Sequence, residues 1–222
     1  MPGPIGASRA KPNRNPLPPG DFPMAILAKA PLPGQAKTRL IPALGAQGAA
    51  DLHARLVRRT VATALEATHA HNITLWTALD HVHPLFIELA GRFGIRLAPQ
   101  PEGSLGDRMH HALSCMRRPG LLIGTDCPVI SRNLLITCHN RLQDVEGVFL
   151  PAEDGGYALV GVRHTAARLF SGIHWGSSRV MAQTRARVAE LGWTIDCPTM
   201  VWDLDRAEDL RRLADMDALS QE

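Results

Sequence analysis

Short apolar runs alternate along most of the chain with longer segments in which apolar residues recur every three or four positions. The first pattern is typical of buried strands and the second of amphipathic helices. Strands are predicted over residues 24–28, 73–77, 95–97, 120–124, 147–150 and 157–161, with a further extended stretch near 199–202. Helices are predicted over residues 51–68, 84–93, 108–116, 132–142, 177–190 and 207–216. Because β and α elements alternate, the pattern predicts one three-layer α/β/α domain, residues 24–222, around a mainly parallel sheet.

The first 23 residues lack this periodicity. They contain seven of the 17 prolines, and three basic residues accompany one acidic residue. Such a composition predicts a flexible, Pro-rich N-terminal arm, residues 1–23. The arm carries +2 of the formal net charge of +3, so the predicted domain itself is close to neutral.

Composition and missing motifs disfavour several classes of function. A net charge of +3 and an aromatic content of 5% disfavour nucleic-acid binding, which relies on basic surfaces and stacking side chains. No segment reaches the roughly 18 apolar residues that a membrane span needs. The four cysteines form no CxxC pair, so we expect no disulfide scaffold and a reducing, cytoplasmic location. The chain also lacks HExxH and GxSxG motifs, which disfavours zinc chemistry and serine hydrolysis.

A basic loop follows the first predicted strand, at the strand end where open α/β sheets bind their ligands. It contains Lys29, Gly34, Lys37 and Arg39. Lysine and arginine suit phosphate oxygens, so the loop is predicted to bind phosphate, with a solvated basic loop as the alternative. Ala36 stands where a P-loop needs its second glycine, which excludes an ordinary P-loop ATPase.

Acidic residues follow two other extended segments. Asp126 comes directly after the most apolar strand, where a carboxylate needs a partner, and a hard divalent cation bridging to a diphosphate would supply one. Asp203 and Asp205 lie two residues apart, so in an extended segment they share one side and one of them could share the cation with Asp126. In the alternative interpretation, Asp126 and Asp205 only cap the helices that follow.

Two further loops carry candidate residues. Residues 153–157 join two acids to Gly155, Gly156 and Tyr157, either as part of a site or as a tight hairpin turn. In the loop at 100–109, Gly106 would allow close approach of a ligand and Arg108 would add a cation, although this stretch also fits an ordinary helix start.

The chain contains six motifs in order: A-K-A-P-x-P-G-x-x-K-T-R-L, Q-P-E-G-x-L-G-D-R-M, G-T-D-C-P, P-A-E-D-G-G-Y-A-L-V-G, I-H-W-G-S-S-x-V and D-L-D-x-A-E-D-L. Together they resemble a bacterial family of small GT-A-type proteins proposed as glycosyltransferases, some linked to arsenosugar biosynthesis. The similarity extends from about Ala25 to Leu213. The family belongs to the nucleotide-diphospho-sugar transferase superfamily, whose relatives include 2-phospho-L-lactate guanylyltransferase and molybdenum-cofactor nucleotidyltransferases.

This resemblance implies a mixed sheet of the GT-A fold and a divalent metal, Mg²⁺ or Mn²⁺, near Asp126. Asp205, with Asp203 as the alternative, would be the second metal-binding carboxylate. The first loop would hold the nucleotide, and the sugar or acceptor pocket would include Gly155, Gly156, Tyr157 and Trp175. Glu153 or Asp154 would activate the acceptor.

The function expected on this basis is metal-dependent transfer of a glycosyl group from a nucleotide-diphospho-sugar to a small-molecule acceptor. Two alternatives remain open. In one, the protein is a nucleotidyltransferase that joins a nucleoside triphosphate to a small phosphorylated substrate and releases pyrophosphate. In the other, it is a noncatalytic nucleotide-binding module. The partners expected are these small molecules, with no nucleic acid and no membrane span, and a homodimer is compatible with each interpretation.

Overall fold

A computed structural model describes residues 20–219. The strands are β1 Met24–Lys29, β2 Ile73–Ala78, β3 Arg96–Pro99, β4 Gly120–Ile123, β5 Gly147–Pro151, β6 Tyr157–Val162 and β7 Ile195–Asp196. The helices are α1 Ile41–Ala67, α2 Pro84–Phe93, α3 Leu105–Ser114, α4 Arg132–Arg141, α5 Ala167–Phe170, α6 Val180–Glu190 and α7 Asp209–Leu219. Short 3-10 turns precede α1 and β2, at Thr38–Leu40 and Ala70–Asn72.

The seven strands form one sheet in the order β3-β2-β1-β4-β6-β5-β7. All neighbouring pairs are parallel except the two that involve β6, which runs antiparallel to both β4 and β5. The predicted mixed, mainly parallel α/β fold is therefore confirmed. Because β6 runs the opposite way, its first residue, Tyr157, lies at the same edge of the sheet as the last residues of β1 and β4.

Helices cover both faces of the sheet. Side chains alternate along β1, so that Met24, Ile26 and Ala28 pack with α1, α2 and α4, whereas Ala25 packs on the opposite face with α3, α5 and α6. These two apolar clusters confirm the three-layer arrangement. None of the helices within residues 20–219 is long and apolar enough to cross a membrane.

The domain begins before the predicted first strand. Residues 1–19 of the predicted arm lie outside the described residues, but Phe22 is 2% exposed and its amide bonds the Thr68 hydroxyl. Asp21 forms an ion pair with Arg118 at 2.8 Å. Residues 20–23 therefore belong to the folded domain, because Phe22 contacts the end of α1 and Asp21 pairs with the loop before β4.

Two element boundaries differ from the prediction. Helix α1 starts at Ile41, ten residues early, since Pro42 suits a first helical turn and Gly45 allows a kink at φ 71°. The last strand is Ile195–Asp196 and not the stretch at 199–202, where Val201 forms only an isolated bridge to Ala152. That bridge nevertheless brings the segment after Val201 to the end of β5.

Candidate active site

The carboxyl ends of β1 and β4 and the start of β6 border an open cleft of about 570 Å³. The connections that follow β1 and β4 lead in opposite directions along the sheet, to β2 and to β5. In an open α/β sheet, ligands usually bind at the carboxyl ends of two such neighbouring strands. Residues of the sheet form the floor, and polar side chains from four segments form the walls. Among the predicted site residues, the cleft is lined by Lys29, Lys37, Arg39, Arg108, Asp126, Tyr157, Asp203 and Asp205.

The basic loop places its cations on one wall. Lys37 has a left-handed backbone, φ 49°, which is uncommon for a residue with a side chain. Its side chain is 4% exposed, and Nζ lies 2.5 Å from both Asp126 Oδ1 and the Leu204 carbonyl oxygen. Lys29 is the last residue of β1 and lines the cleft. Gly34 lies in the turn between Lys29 and Lys37, with φ 80°, and does not line the cleft.

Asp126 lies opposite Lys37, and its side chain is 53% exposed. Withdrawal from water opposes ionisation of Asp126, but the charge and hydrogen bond of Lys37 outweigh it, so the pKa of Asp126 is lowered. The sequence predicted that a carboxylate at this strand end needs a partner, with a divalent cation as the one proposed. The contact that the structure shows is with the Lys37 ammonium group, and the metal stays a prediction.

Asp203 is the second carboxylate beside Asp126. Burial raises the pKa of Asp203 to about 7, and the negative charges of Asp126 and Asp154 add to this shift. The amide of Leu204 donates to the Asp126 carbonyl at 2.8 Å and its side chain is buried away from the cleft. Asp203 and Asp205 therefore line the same side, as the two-residue spacing predicts.

Asp205 differs from Asp203 in its partner, because its carboxylate accepts a hydrogen bond from the Arg39 guanidinium. Both members of this pair are solvent-exposed, at 64% for Arg39 and 41% for Asp205, so the pair is weak and exchangeable. The negative charge of Asp126 acts on Asp203, whereas the resemblance favours Asp205 as the second metal ligand.

His53 lines the same cleft and is not found by the sequence analysis. It projects from α1, its side chain is 6% exposed, and Nε2 lies 3.1 Å from the Lys29 carbonyl oxygen. Burial lowers the pKa of His53, which keeps the ring neutral near pH 7. Its position on the buried face of α1, among Leu52, Leu56 and Val57, is the signal that marks it out in the sequence.

Two residues near the start of α3 have different roles: one lines the cleft and the other allows close helix packing. Arg108 reaches the cleft, and its buried Nε has no hydrogen-bond partner within residues 20–219. Gly106 does not line the cleft. A Cβ at this glycine would lie 2.9 Å from both the Phe170 carbonyl oxygen and the Trp175 ring, so Gly106 allows α3 to pack closely there. Ser104 and Asp107 form the capping box of α3, as the alternative interpretation predicts.

The acidic glycine-rich segment forms the turn between β5 and β6. Asp154 accepts a hydrogen bond from the Gly156 amide at 2.8 Å, and Gly155 has φ 90°. Neither glycine lines the cleft, and Gly155 lies against the backbone of Ser178. This geometry is that of the tight turn. Only Tyr157, at its end, reaches the cleft.

The two predicted catalytic acids and Trp175 lie beside the cleft. Glu153 forms a two-point ion pair with Arg212 of α7, at 2.8 and 2.9 Å, and this contact lowers the pKa of Glu153. Asp154 acts electrostatically on Asp203. Trp175 contacts Tyr157 edge to face, with ring centroids 6.3 Å apart, and lines a separate hollow beside Gly106.

The acidic pair suits a divalent cation whose remaining ligands come largely from a substrate. Burial is the main cause of the raised pKa of Asp203, and repulsion by the Asp126 carboxylate adds to it, so a cation between the two would neutralise that repulsion. Mg²⁺ is usually held in this way, by one or two carboxylates together with phosphate oxygens and water. Across residues 20–219, no three His, Cys, Asp or Glu side chains are already gathered at metal-binding spacing.

Comparison with known proteins identifies a family and a set of structures. The model of a family described as "Uncharacterized protein conserved in bacteria (DUF2064)" matches residues 56–177, more than half of the chain. A proposed nucleotide-diphospho-sugar transferase from Desulfovibrio desulfuricans G20 is similar at 25% identity, with a TM-score of 0.73 over 82% of this chain and 81% of that one. No curated protein matches the sequence significantly.

Structures with lower identity share the fold. A nucleotidyl transferase from Methanothermobacter has 15% identity and a TM-score of 0.59, over 90% of this chain and all of that one. The 2-C-methyl-D-erythritol 4-phosphate cytidylyltransferase from Thermus thermophilus has 13% identity and a TM-score of 0.53, over 91% of this chain and all of that one. These similarities confirm the predicted nucleotide-diphospho-sugar transferase fold.

Proposed function

The chain belongs to the bacterial DUF2064 family, and we propose that it transfers a glycosyl group from a nucleotide-diphospho-sugar to a small-molecule acceptor in a metal-dependent reaction. The observation that carries this proposal is the meeting of three cations, Lys29, Lys37 and Arg39, with a carboxylate pair in one cleft. The similarity to the Desulfovibrio protein supports a transferase that uses a nucleotide-linked substrate.

In this proposal the cationic wall binds the donor diphosphate. Arg39 exchanges its exposed carboxylate partner for a phosphate oxygen, and Lys37 turns from Asp126 to the phosphate. Arg108 donates its unpaired Nε hydrogen to the nucleotide. Cations placed in advance where charge develops stabilise the departing diphosphate without further reorganisation.

Asp126 and Asp203 would hold the divalent cation, with Asp205 kept near them through Arg39. The cation supplies Lewis-acid stabilisation of negative charge on the leaving group. Asp126 becomes available to the cation when Lys37 moves from Asp126 to the phosphate. Phosphate binding and cation binding therefore favour each other, and both Lys37 and Asp126 keep a partner of opposite charge.

Asp154 is the proposed base for the acceptor, because it borders the cleft closely enough for its negative charge to act on Asp203. Glu153 is less suited to this role, because Arg212 holds it as a weakly basic carboxylate. The acceptor oxygen bonds the anomeric carbon and its proton passes to the Asp154 carboxylate, while the diphosphate leaves with the electron pair of the broken bond. Tyr157 and the adjoining Trp175 shape the wall next to this position.

The proposal is tested by incubating the protein with a panel of sugar nucleotides or nucleoside triphosphates in the presence of Mg²⁺ or Mn²⁺. We expect release of a free nucleoside diphosphate from one sugar nucleotide, abolished by EDTA. Asp126→Asn and Lys37→Met should each lower the rate by about 100-fold or more, the scale expected for loss of a group that stabilises transition-state charge. Asp196→Asn is the matched control, because Asp196 pairs with Arg141 beside the opposite end of β5.

The same panel tests nucleotidyl transfer, the second candidate. It is favoured by the fold that the chain shares with nucleotidyl and cytidylyl transferases. Metal-dependent pyrophosphate release with a phosphorylated acceptor, and no nucleoside diphosphate from any sugar nucleotide, would replace glycosyl transfer with this reaction. Tight nucleotide binding that survives both EDTA and Asp126→Asn, without turnover, would instead identify a noncatalytic module.

A further inference from the structure

His53 is a buried polar group in the cleft that the proposed reaction does not yet use. Its Nε2 faces the Lys29 carbonyl oxygen, which can only accept a hydrogen bond. In the neutral ring the proton is therefore on Nε2, and Nδ1 presents a lone pair. This tautomer is set by the backbone at the end of β1.

The Nδ1 atom has no hydrogen-bond partner among the side chains and backbone of residues 20–219, although it is fully buried. It lies 3.9 Å from Asp126 Oδ1, so a lone pair faces a carboxylate with no proton between them. The Lys37 ammonium does not fill the gap, since it bonds Asp126 and the Leu204 carbonyl. A cation between the ring and the carboxylate would give Nδ1 the partner that it lacks.

We propose that His53 Nδ1 is a ligand of the divalent cation, beside Asp126. This inference rests on the proposed function, because it concerns the same ion. The observed 3.9 Å between Nδ1 and Asp126 Oδ1 is short enough for one ion to contact both atoms at about 2.1 Å each. Rotation of the Asp126 carboxylate away from Lys37 completes the site.

A nitrogen ligand also bears on which ion is used. Mg²⁺ prefers oxygen ligands almost exclusively, whereas imidazole is a common ligand of first-row transition ions. An imidazole ligand beside Asp126 would therefore favour Mn²⁺ over Mg²⁺. The hydrogen bond from Nε2 to Lys29 acts as the outer contact that fixes the ring and its tautomer.

The test is pulsed electron paramagnetic resonance on the full chain loaded with Mn²⁺ and inorganic pyrophosphate. We expect ¹⁴N modulation from a directly bound imidazole, replaced by a ¹⁵N pattern in protein made with ¹⁵N-labelled histidine. His53→Gln keeps an amide donor for the Lys29 carbonyl but removes the Nδ1 ligand, so it should abolish the modulation. It should also raise the Kd for Mn²⁺ by about 10-fold or more, because the loss of even an outer contact to a metal ligand weakens binding by that much. His164→Gln, an exposed histidine at the other end of β6, should change neither.

The outcomes separate this inference from the proposed function. Bound Mn²⁺ without nitrogen modulation would overturn the role of His53 and leave the metal-dependent reaction standing. Failure to bind Mn²⁺ even with pyrophosphate would refute the metal itself and both proposals with it. Because the labelled wild-type protein reports the ligand directly, the result holds even if His53→Gln does not fold.

Discussion

Replacing Asp203 with asparagine should make the metal-free protein more stable, although it removes a proposed metal ligand. Burial, together with the charges of Asp126 and Asp154, raises the pKa of Asp203 to about 7. An ionised Asp203 is therefore unfavourable in the folded protein without a cation. Asparagine has nearly the same shape and cannot ionise, so it removes this cost.

The size of the effect follows from the pKa difference between the folded and unfolded chains. The unfolded aspartate titrates near 3.8 and the folded one near 7, so the folded state holds a proton that the unfolded state releases between these values. Protonated Asp203 makes its full contribution to the free energy of unfolding below pH 3.8. That contribution falls by about 1.4 kcal/mol per pH unit as the pH rises to 7. The total is about 4 kcal/mol as an upper limit, or about 2 kcal/mol if water in the open cleft screens half of it.

The measurement is urea unfolding of wild-type and Asp203→Asn protein in EDTA between pH 4 and pH 8. The free-energy difference in favour of the variant should be small near pH 4 and grow to about 2–4 kcal/mol by pH 8. Asp205→Asn is the matched control, because its carboxylate is exposed and already paired with Arg39. That control should show no comparable growth with pH.

Saturating Mn²⁺ should cancel the advantage of the variant. An ion that binds only the folded wild-type protein adds about 2.7 kcal/mol at 100 times its Kd and about 4.1 kcal/mol at 1,000 times its Kd, and the variant should gain little. A difference between wild type and variant that stays constant from pH 4 to pH 8 in EDTA would refute the reasoning, since it would show that Asp203 titrates normally. Equal stabilisation of both proteins by Mn²⁺ would refute Asp203 as a ligand.

Two further predictions concern contacts outside the cleft. Gly155→Ala should destabilise the protein by about 2 kcal/mol or more in urea unfolding, because φ is 90° and the new Cβ would meet the Ser178 backbone within 2.7 Å. Gly34→Ala, with a similar φ but open space around it, should cost only about 1 kcal/mol, and equal losses would show that the contact is unimportant. The Arg118 guanidinium lowers the pKa of Asp21, so their pair stabilises the fold above the usual aspartate pKa and is lost on acidification. Arg118→Ala should therefore flatten the acid limb of the stability–pH curve, and an unchanged limb would contradict this.

The fold was predictable from sequence because each buried strand is a short apolar run bounded by polar residues. The errors fell where no apolar periodicity marks the element. None of the first eight residues of α1 is buried, and Pro42 favours the start of the helix there. The edge strand Ile195–Asp196 has only two residues, too few to produce any periodicity.

The position of the cleft at the carboxyl ends of the strands could be predicted from sequence, but the contacts among its side chains could be predicted only in part. Lys37 and Asp126 could be located because each follows a parallel strand, and such strand ends meet at one edge. The choice between Asp203 and Asp205 depends on the Val201 bridge and on the Leu204 amide bond to Asp126, which connect residues distant in sequence. The sequence analysis missed His53 because its place in the cleft also depends on a contact distant in sequence, that of its ring with the Lys29 carbonyl at the end of β1.

The cleft pairs its own charges, with Lys37 on Asp126 and Arg39 beside Asp205. Under the proposed function, a divalent cation arriving alone would have to displace an ammonium group from Asp126, and a diphosphate arriving alone would draw that group away and leave the carboxylate uncompensated. If both arrived together, the cationic side chains would pair with phosphate while the carboxylates paired with the metal. Because unpaired charge in a partly buried site is costly, each ligand would then strengthen the binding of the other. The proposal thus predicts that a near-neutral domain binds a highly charged substrate by exchanging ion-pair partners, without a basic surface.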